Sequence, residues 1–198
     1  MTPSTTLETP TPDRALGIGA HPDDIEFGAG GTLARWAGAG CEVTMLVVTD
    51  GSKGTWDPTM DPHLLAAMRV DEQLEAARVL GAAHVVHLGH VDGELSYTMD
   101  LRAEICLQIR LTRPDVVLTH DPWKPYQLHP DHRTTGLAVV DGVVAARDHL
   151  FFPEQGVAAH RPQHLLRHAR RRRRCPATDA ALSTPEPGCA HRGHGLSG

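Results

Sequence analysis

Short apolar runs alternate along this chain with longer helical stretches, and that alternation restricts the fold more than any other feature. Residues 15–20, Cys41 to Val48, Val85 to Leu88 and Asp115 to Thr119 read as strands. The first is uncharged and the second is rich in β-branched residues, as suits strands buried on both faces. Helices are expected from Gly28-Ala29-Gly30-Gly31 through Ala37, and from about His63 to Leu80, Asp100 to Leu111 and Asp131 to Arg147. In the second of these, Leu64, Leu65, Met68, Leu74, Ala77 and Val79 supply most of an apolar face. Arg69, Asp71, Glu72 and Glu75 fall largely on the other. Strands alternating with helices of this length imply an α/β fold, three layers with a mainly parallel sheet and helices on both faces. In such sheets, ligands bind past the carboxyl ends of the strands. The segments Gly19 to Asp24, Asp50 to Ser52, His90 to Asp92 and His129 to His132 all lie there, so four loops point at one crevice.

Two of these loops carry metal-binding chemistry. His21-Pro22-Asp23-Asp24 and His129-Pro130-Asp131-His132 each combine imidazole with carboxylate beside a stiffening proline. Either cluster alone is explained by turn and cap chemistry, and Asp131 reads as a helix N-cap. Two such clusters, each after a strand, favour a shared divalent ion. His21, Asp24 and His132 are the candidate ligands, and two imidazoles with one carboxylate leave positions open for water. Such an ion activates water towards neutral pH. Asp23 is then placed to act as general base, and His129 to stabilise an oxyanion or donate a proton.

Other signals are weaker. Gly28-Ala29-Gly30-Gly31 lacks the spacing of a dinucleotide loop, and Asp50-Gly51-Ser52-Lys53-Gly54 lacks the first glycine of a phosphate loop. His84, His87 and His90 read as packing or surface residues, and His120 as a group behind the ligands. The cysteines form no CxxC pair, and Cys41 and Cys106 sit in apolar stretches as buried thiols. With a net charge of −5, nothing global points to nucleic acid, and no apolar run is long enough to span a membrane. The leader at 1–13 lacks the features of a secretory signal, so a cytoplasmic protein is expected.

The stretches "GAHPDDIEFGAGGTLA" (19–34) and "HPDH" (129–132), joined by "VVTDGSKG" and "RPDVVLTHDP", resemble the PIG-L/LmbE-like family of metal-dependent de-N-acetylases, of the N-acetylglucosaminyl-inositol deacetylase type. The resemblance covers roughly residues 15–160. It implies a Rossmann-like fold and removal of an N-acetyl group from a small glycoconjugate containing N-acetylglucosamine. It also implies Zn2+, with Fe2+ the alternative. By the family pattern His21, Asp24 and His132 are metal ligands, Asp23 is the base and His129 assists the tetrahedral intermediate. Arg69 and Asp92 match positions that contact the sugar. Two alternatives stand beside this reading: an amidase acting on another small conjugate, and a silent binding remnant. Nothing in the sequence names the oligomeric state.

The expected organisation is a flexible leader at 1–13, a catalytic domain at 14–160 and an atypical tail at 161–198. That tail holds five arginines, Arg170 to Arg174, with Pro, His and Cys but no periodicity. It is expected to be disordered or the product of a shifted reading frame, leaving the catalytic domain incomplete at its C-terminal end.

Overall fold

A computed structural model describes residues 10–168. The leader before Pro10 and the tail after His168, on which two of the expectations above fall, lie outside the described residues.

Five strands form one all-parallel sheet in the order β3-β2-β1-β4-β5. They are β1 (Arg14–Gly19), β2 (Glu42–Thr49), β3 (His84–His90), β4 (Val116–His120) and β5 (His164–His168). The helices are α1 (Asp24–Gly38), α2 (Pro62–Leu80), α3 (Met99–Thr112) and α4 (Pro130–Ala146). Side chains along the central strands alternate between two cores. Ala15, Val43, Met45 and Val47 pack with Ile25, Leu33 and Trp36 of α1 and Ala77 of α2. Leu16, Ile18, Leu46 and Val48 pack with Leu101, Ile105 and Ile109 of α3 and Ala138 and Val139 of α4. The sheet is therefore covered on both faces, as a parallel sheet requires, and the fold is Rossmann-like. The connections leave β1 and β4 in opposite directions along the sheet, so the crevice between these neighbours opens at their carboxyl ends.

Helix boundaries follow local chemistry. Asp61 caps α2 by accepting from His63 N and Leu64 N, Pro62 takes the first turn, and Gly81 closes the helix at φ 76°. Thr98 caps α3 by accepting from Leu101 N.

Three differences from expectation matter. First, α1 begins at Asp24, not at Gly28, and the glycine run lies inside it. Burial of Ile25 and Leu33 against the sheet outweighs the weak helical preference of glycine. Second, α2 is rotated from its expected orientation. It buries Leu65, Gln73 and Ala77, while Leu64, Met68, Leu74 and Val79 stay exposed. The inward stripe thus contains Gln73, and Arg69 lies one turn from both Leu65 and Gln73 on that stripe. Third, β5 lies past residue 160, where the sequence shows no strand. It is short, with only Leu165 and Leu166 to mark it, and their side chains pack on the two cores from opposite faces. Among the described residues no helix is long and apolar enough to cross a membrane.

Candidate metal centre

The first motif is a tight turn between β1 and α1. A Cβ at Gly19 would stand 2.9 Å from Asp24 Cβ and 3.0 Å from Ile25 Cγ1, so only glycine lets α1 start directly over the strand end. Asp24 Oδ2 accepts from His21 N at 2.8 Å and Asp24 N donates to His21 O at 3.3 Å, which closes the turn. Thr49 at the end of β2 fastens it by donating from both N and Oγ1 to Ala20 O, each at 2.8 Å. Asp23, the N-cap of α1, sits at φ 111° and ψ −27°. A non-glycine residue in such a region costs about 1–3 kcal/mol, so its surroundings must enforce it.

The second motif forms the first turn of α4. Asp131, expected as the cap, lies inside the helix, and His129 is the cap instead, its Nδ1 accepting from Asp131 N at 3.2 Å. Asp131 is fully buried. Its Oδ2 accepts from Gly93 N at 2.7 Å and lies 3.3 Å from His21 Nε2, while its Oδ1 is buried without a hydrogen-bond partner.

The two motifs meet across the crevice. His21 Nδ1 lies 3.1 Å from His132 Nε2 and 3.3 Å from Asp24 Oδ2, and His132 Nε2 lies 3.2 Å from Asp24 Oδ1. These spacings are close to the roughly 3.3 Å between donors of a four-coordinate divalent ion with bonds of about 2.0–2.1 Å, with Asp24 meeting His21 through Oδ2 and His132 through Oδ1. Among the described residues, three overlapping sets have donor atoms within 4.8 Å of one another: His21, His129 and His132; Asp24, His120 and His132; and His21, Asp92 and Asp131. The His120 ring stacks on His132 at 4.2 Å between centroids, and His120 Nε2 lies 3.3 Å from Asp24 Oδ2 and accepts from Ala20 N at 3.2 Å. His120, read from sequence as a group behind the ligands, thus touches both Asp24 and His132.

Charge in the cluster is polarised. Burial alone would push the Asp24 carboxyl up, but hydrogen bonds with His120, His132 and His21 hold it far below the ordinary carboxylate range. Burial would lower the His21 pKa, yet Asp24, Asp92 and Asp131 together raise it. His129 is pushed down by burial and then by the neighbouring imidazoles His21 and His132, which keeps it neutral.

Asp92 and Arg69, matched by resemblance to sugar contacts, both reach the first motif. Asp92 is 6% exposed. Its Oδ1 lies 3.1 Å from His21 Nε2, and its Oδ2 accepts from Lys53 N at 3.1 Å. The carboxylate therefore orients the face of His21 turned away from Asp24 and His132, an arrangement typical behind metal-bound histidine. The Arg69 guanidinium reaches the first motif itself, where Nη2 donates to Pro22 O and, at 2.8 Å, to Asp23 Oδ2. Asp23 points to α2 and is 46% exposed in its side chain. His90 pairs with Glu104 of α3 at 2.6 Å.

Sequence reasoning missed the burial of Asp131. The cap reading placed it at the helix end, where its burial carries no signal of its own.

Residues 16–143 match the family described as PIG-L: GlcNAc-PI de-N-acetylase. Over 130 residues the chain is 42% identical to a diacetylchitobiose deacetylase of Thermococcus kodakarensis, covering 66% of this chain and 49% of that protein. It is 31% identical over 166 residues to a 1D-myo-inositol 2-acetamido-2-deoxy-alpha-D-glucopyranoside deacetylase of Kineococcus radiotolerans, covering 68% of this chain and 46% of that one. The structure of an N,N'-diacetylchitobiose deacetylase from Pyrococcus horikoshii matches with a TM-score of 0.74 and 36% identity, over 75% of this chain and 57% of that chain. The chain spans about half the length of the curated relatives it matches.

Proposed function

The chain belongs to the PIG-L de-N-acetylase family, and from that premise we propose that it is a hydrolase that removes the N-acetyl group from a small glycoconjugate containing N-acetylglucosamine. The observation that carries this reading is the convergence of His21 Nδ1, His132 Nε2 and the Asp24 carboxylate within 3.3 Å of one another. These three would hold the ion, Zn2+ first and Fe2+ second, since two imidazoles and a carboxylate suit either. Bound there, it supplies Lewis-acid activation of water and of an amide carbonyl. Relatives that act on diacetylchitobiose and on a 2-acetamido sugar linked to inositol support the substrate class.

The chain's own groups divide the remaining work. Asp23 takes a proton from the attacking water, whose oxygen bonds to the carbonyl carbon. The C–N bond then breaks, the amine takes up the proton, and acetate leaves. His129 faces the developing oxyanion as a donor. Asp131 N–H occupies its Nδ1, so in the neutral ring the proton resides on Nε2. Asp92 and Asp131 fix the orientation of His21 by flanking its Nε2. The buried free thiols Cys41 and Cys106 suit a reducing compartment, and we place the reaction in the cytoplasm.

The test is amine release from N,N'-diacetylchitobiose and from N-acetylglucosaminyl-inositol by metal-loaded protein, with metal analysis of the same sample. One ion per chain with metal-dependent amine release is the expected result. One ion per chain with no amine release from either substrate would favour a silent binding protein.

A further inference from the structure

We propose that Trp123 is a specificity-determining residue whose indole receives the ring adjoining the reacting N-acetylglucosamine, so that the site prefers a two-ring glycoconjugate to a single sugar. This rests on the hydrolase reading above. Trp123 lies three residues past His120 and six before His129. His120 touches Asp24 and His132, and His129 caps α4, so the loop between them leaves the metal centre and returns to it. Three steps along the chain keep the Trp123 Cα within about 11 Å of the His120 Cα. A ring one glycosidic link from a sugar held at the ion falls within that reach.

The loop is braced rather than loose. Lys124 N donates to Asp121 O and Gln127 N to Lys124 O, each at 3.1 Å, which makes two successive turns. In the second, Pro125 and Tyr126 take the central positions, and Tyr126 holds φ 63° where a type II turn favours glycine. Helix α4 enforces this conformation from both ends of the loop. A Cβ at Gly136 would stand 2.9 Å from His120 O and from Pro122 Cδ, so the start of the loop lies directly on the helix. Arg133 Nη1 donates to Gln127 O and, at 3.1 Å, to Leu128 O, which fastens its end. Asp121 Oδ1 accepts from Trp123 N at 3.2 Å. A ring mounted on so fixed a backbone gives up little freedom when a ligand stacks on it.

The chain holds only three tryptophans, and one of them, Trp36, serves the core. Trp123 is 59% exposed and shares its loop with exposed Tyr126 and Leu128. Charge collects on the other side of the crevice, where Asp23 pairs with Arg69 and Lys53 with Glu94. The β4 side therefore offers apolar surface beside the ion. A pyranose ring carries C–H groups on its faces and hydroxyls at its rim, and an aromatic face matches the former.

The test compares kcat/KM of metal-loaded wild type, Trp123→Ala, Trp123→Phe and Trp56→Ala on N,N'-diacetylchitobiose and on N-acetylglucosamine. Wild type should favour the disaccharide. Trp123→Ala should lower that preference about tenfold, the scale of one aromatic contact, chiefly through KM for the disaccharide, and Trp123→Phe should recover part of it. Trp56→Ala, altered on the loop after β2, should keep the preference. An unchanged ratio in Trp123→Ala, or a wild type that treats both sugars alike, would overturn the inference and leave the hydrolase reading standing. Should wild type release no amine from either sugar, the hydrolase reading fails, and binding judges Trp123 separately. Saturation-transfer NMR of N,N'-diacetylchitobiose on ion-free protein should show transfer to both rings in wild type, with the reducing-end ring lost in Trp123→Ala. Transfer that persists in that variant, or is absent from wild type, would overturn the role of Trp123.

Discussion

Asp23 and Asp24 are neighbours in the chain and opposites in surroundings. Asp24 faces α4, where His21, His120 and His132 crowd around it and hold it ionised in spite of burial. Asp23 faces α2, half exposed, with one guanidinium for company. A carboxylate ringed by imidazoles suits a fixed ligand, because its charge never leaves. A half-exposed carboxylate beside a single cation keeps a free lone pair and access to water, which proton transfer needs. The two carboxylates diverge at a turn where Asp23 holds φ 111°.

Four experiments can break or sharpen that contrast. Asp24→Ala should have the largest effect, with the ion lost on dialysis and amine release lost with it. One ion per chain retained by this variant would move the ligand role elsewhere. Asp23→Asn should keep one ion per chain and lose turnover by about 10²–10⁴-fold, and loss of the ion instead would show the two roles exchanged. Asp92→Asn should weaken ion affinity by about 10–100-fold in chelator competition. If KM rises while affinity holds, Asp92 is a sugar contact after all.

The smallest effect is on pH dependence. In the ion-free protein the His21 pKa is raised above its ordinary 6.5, so its contribution to stability is full below 6.5 and lost as pH rises through the higher folded value. The Asp24 pKa is lowered from 3.8, so its contribution is present above 3.8 and lost only as pH falls through the depressed value. Both contributions overlap between 3.8 and 6.5, where the pair stabilises the ion-free protein most. Ion binding displaces the His21 proton, so the gain in Tm on adding Zn2+ should grow from about pH 6 to about pH 8. A gain that shrinks over that range would place His21 outside the donor set.

Much of this was legible from residue order. Strands and helices alternate with clear periods, and a motif that follows a strand must lie at the crevice, so the meeting of His21, Asp24 and His132 could be read before any coordinates. What was not legible depends on rotation and burial. The apolar residues of α2 suggested one inward face, but Leu64, Met68 and Val79 point outward because Gln73 has a polar partner, Glu26, waiting under the helix. Periodicity counts apolar residues and cannot see such a partner. Arg69 was consequently assigned to the wrong side of the helix. Asp92 was read as a turn residue, with a sugar contact implied by resemblance alone, and its fixed position comes from Lys53 N and His21, groups 39 residues away and across the crevice. Strand β5 depends on pairing with β4 and carries little signal of its own.

The seam between β1 and β4 has a consequence for synthesis. Ala20 N meets His120 Nε2 across a sequence separation of 100, and His21 meets His132 across 111. A growing chain that has emitted β1, α1 and β2 already displays His21 and Asp24, yet the partner that closes the ring is still unmade. Contacts this distant form late, after their loop-closure entropy has been met by the rest of the sheet. On the proposed ligand set, capture of the ion follows the docking of α4 behind β4, and an arrested nascent chain ending before His132 should leave free ion in solution.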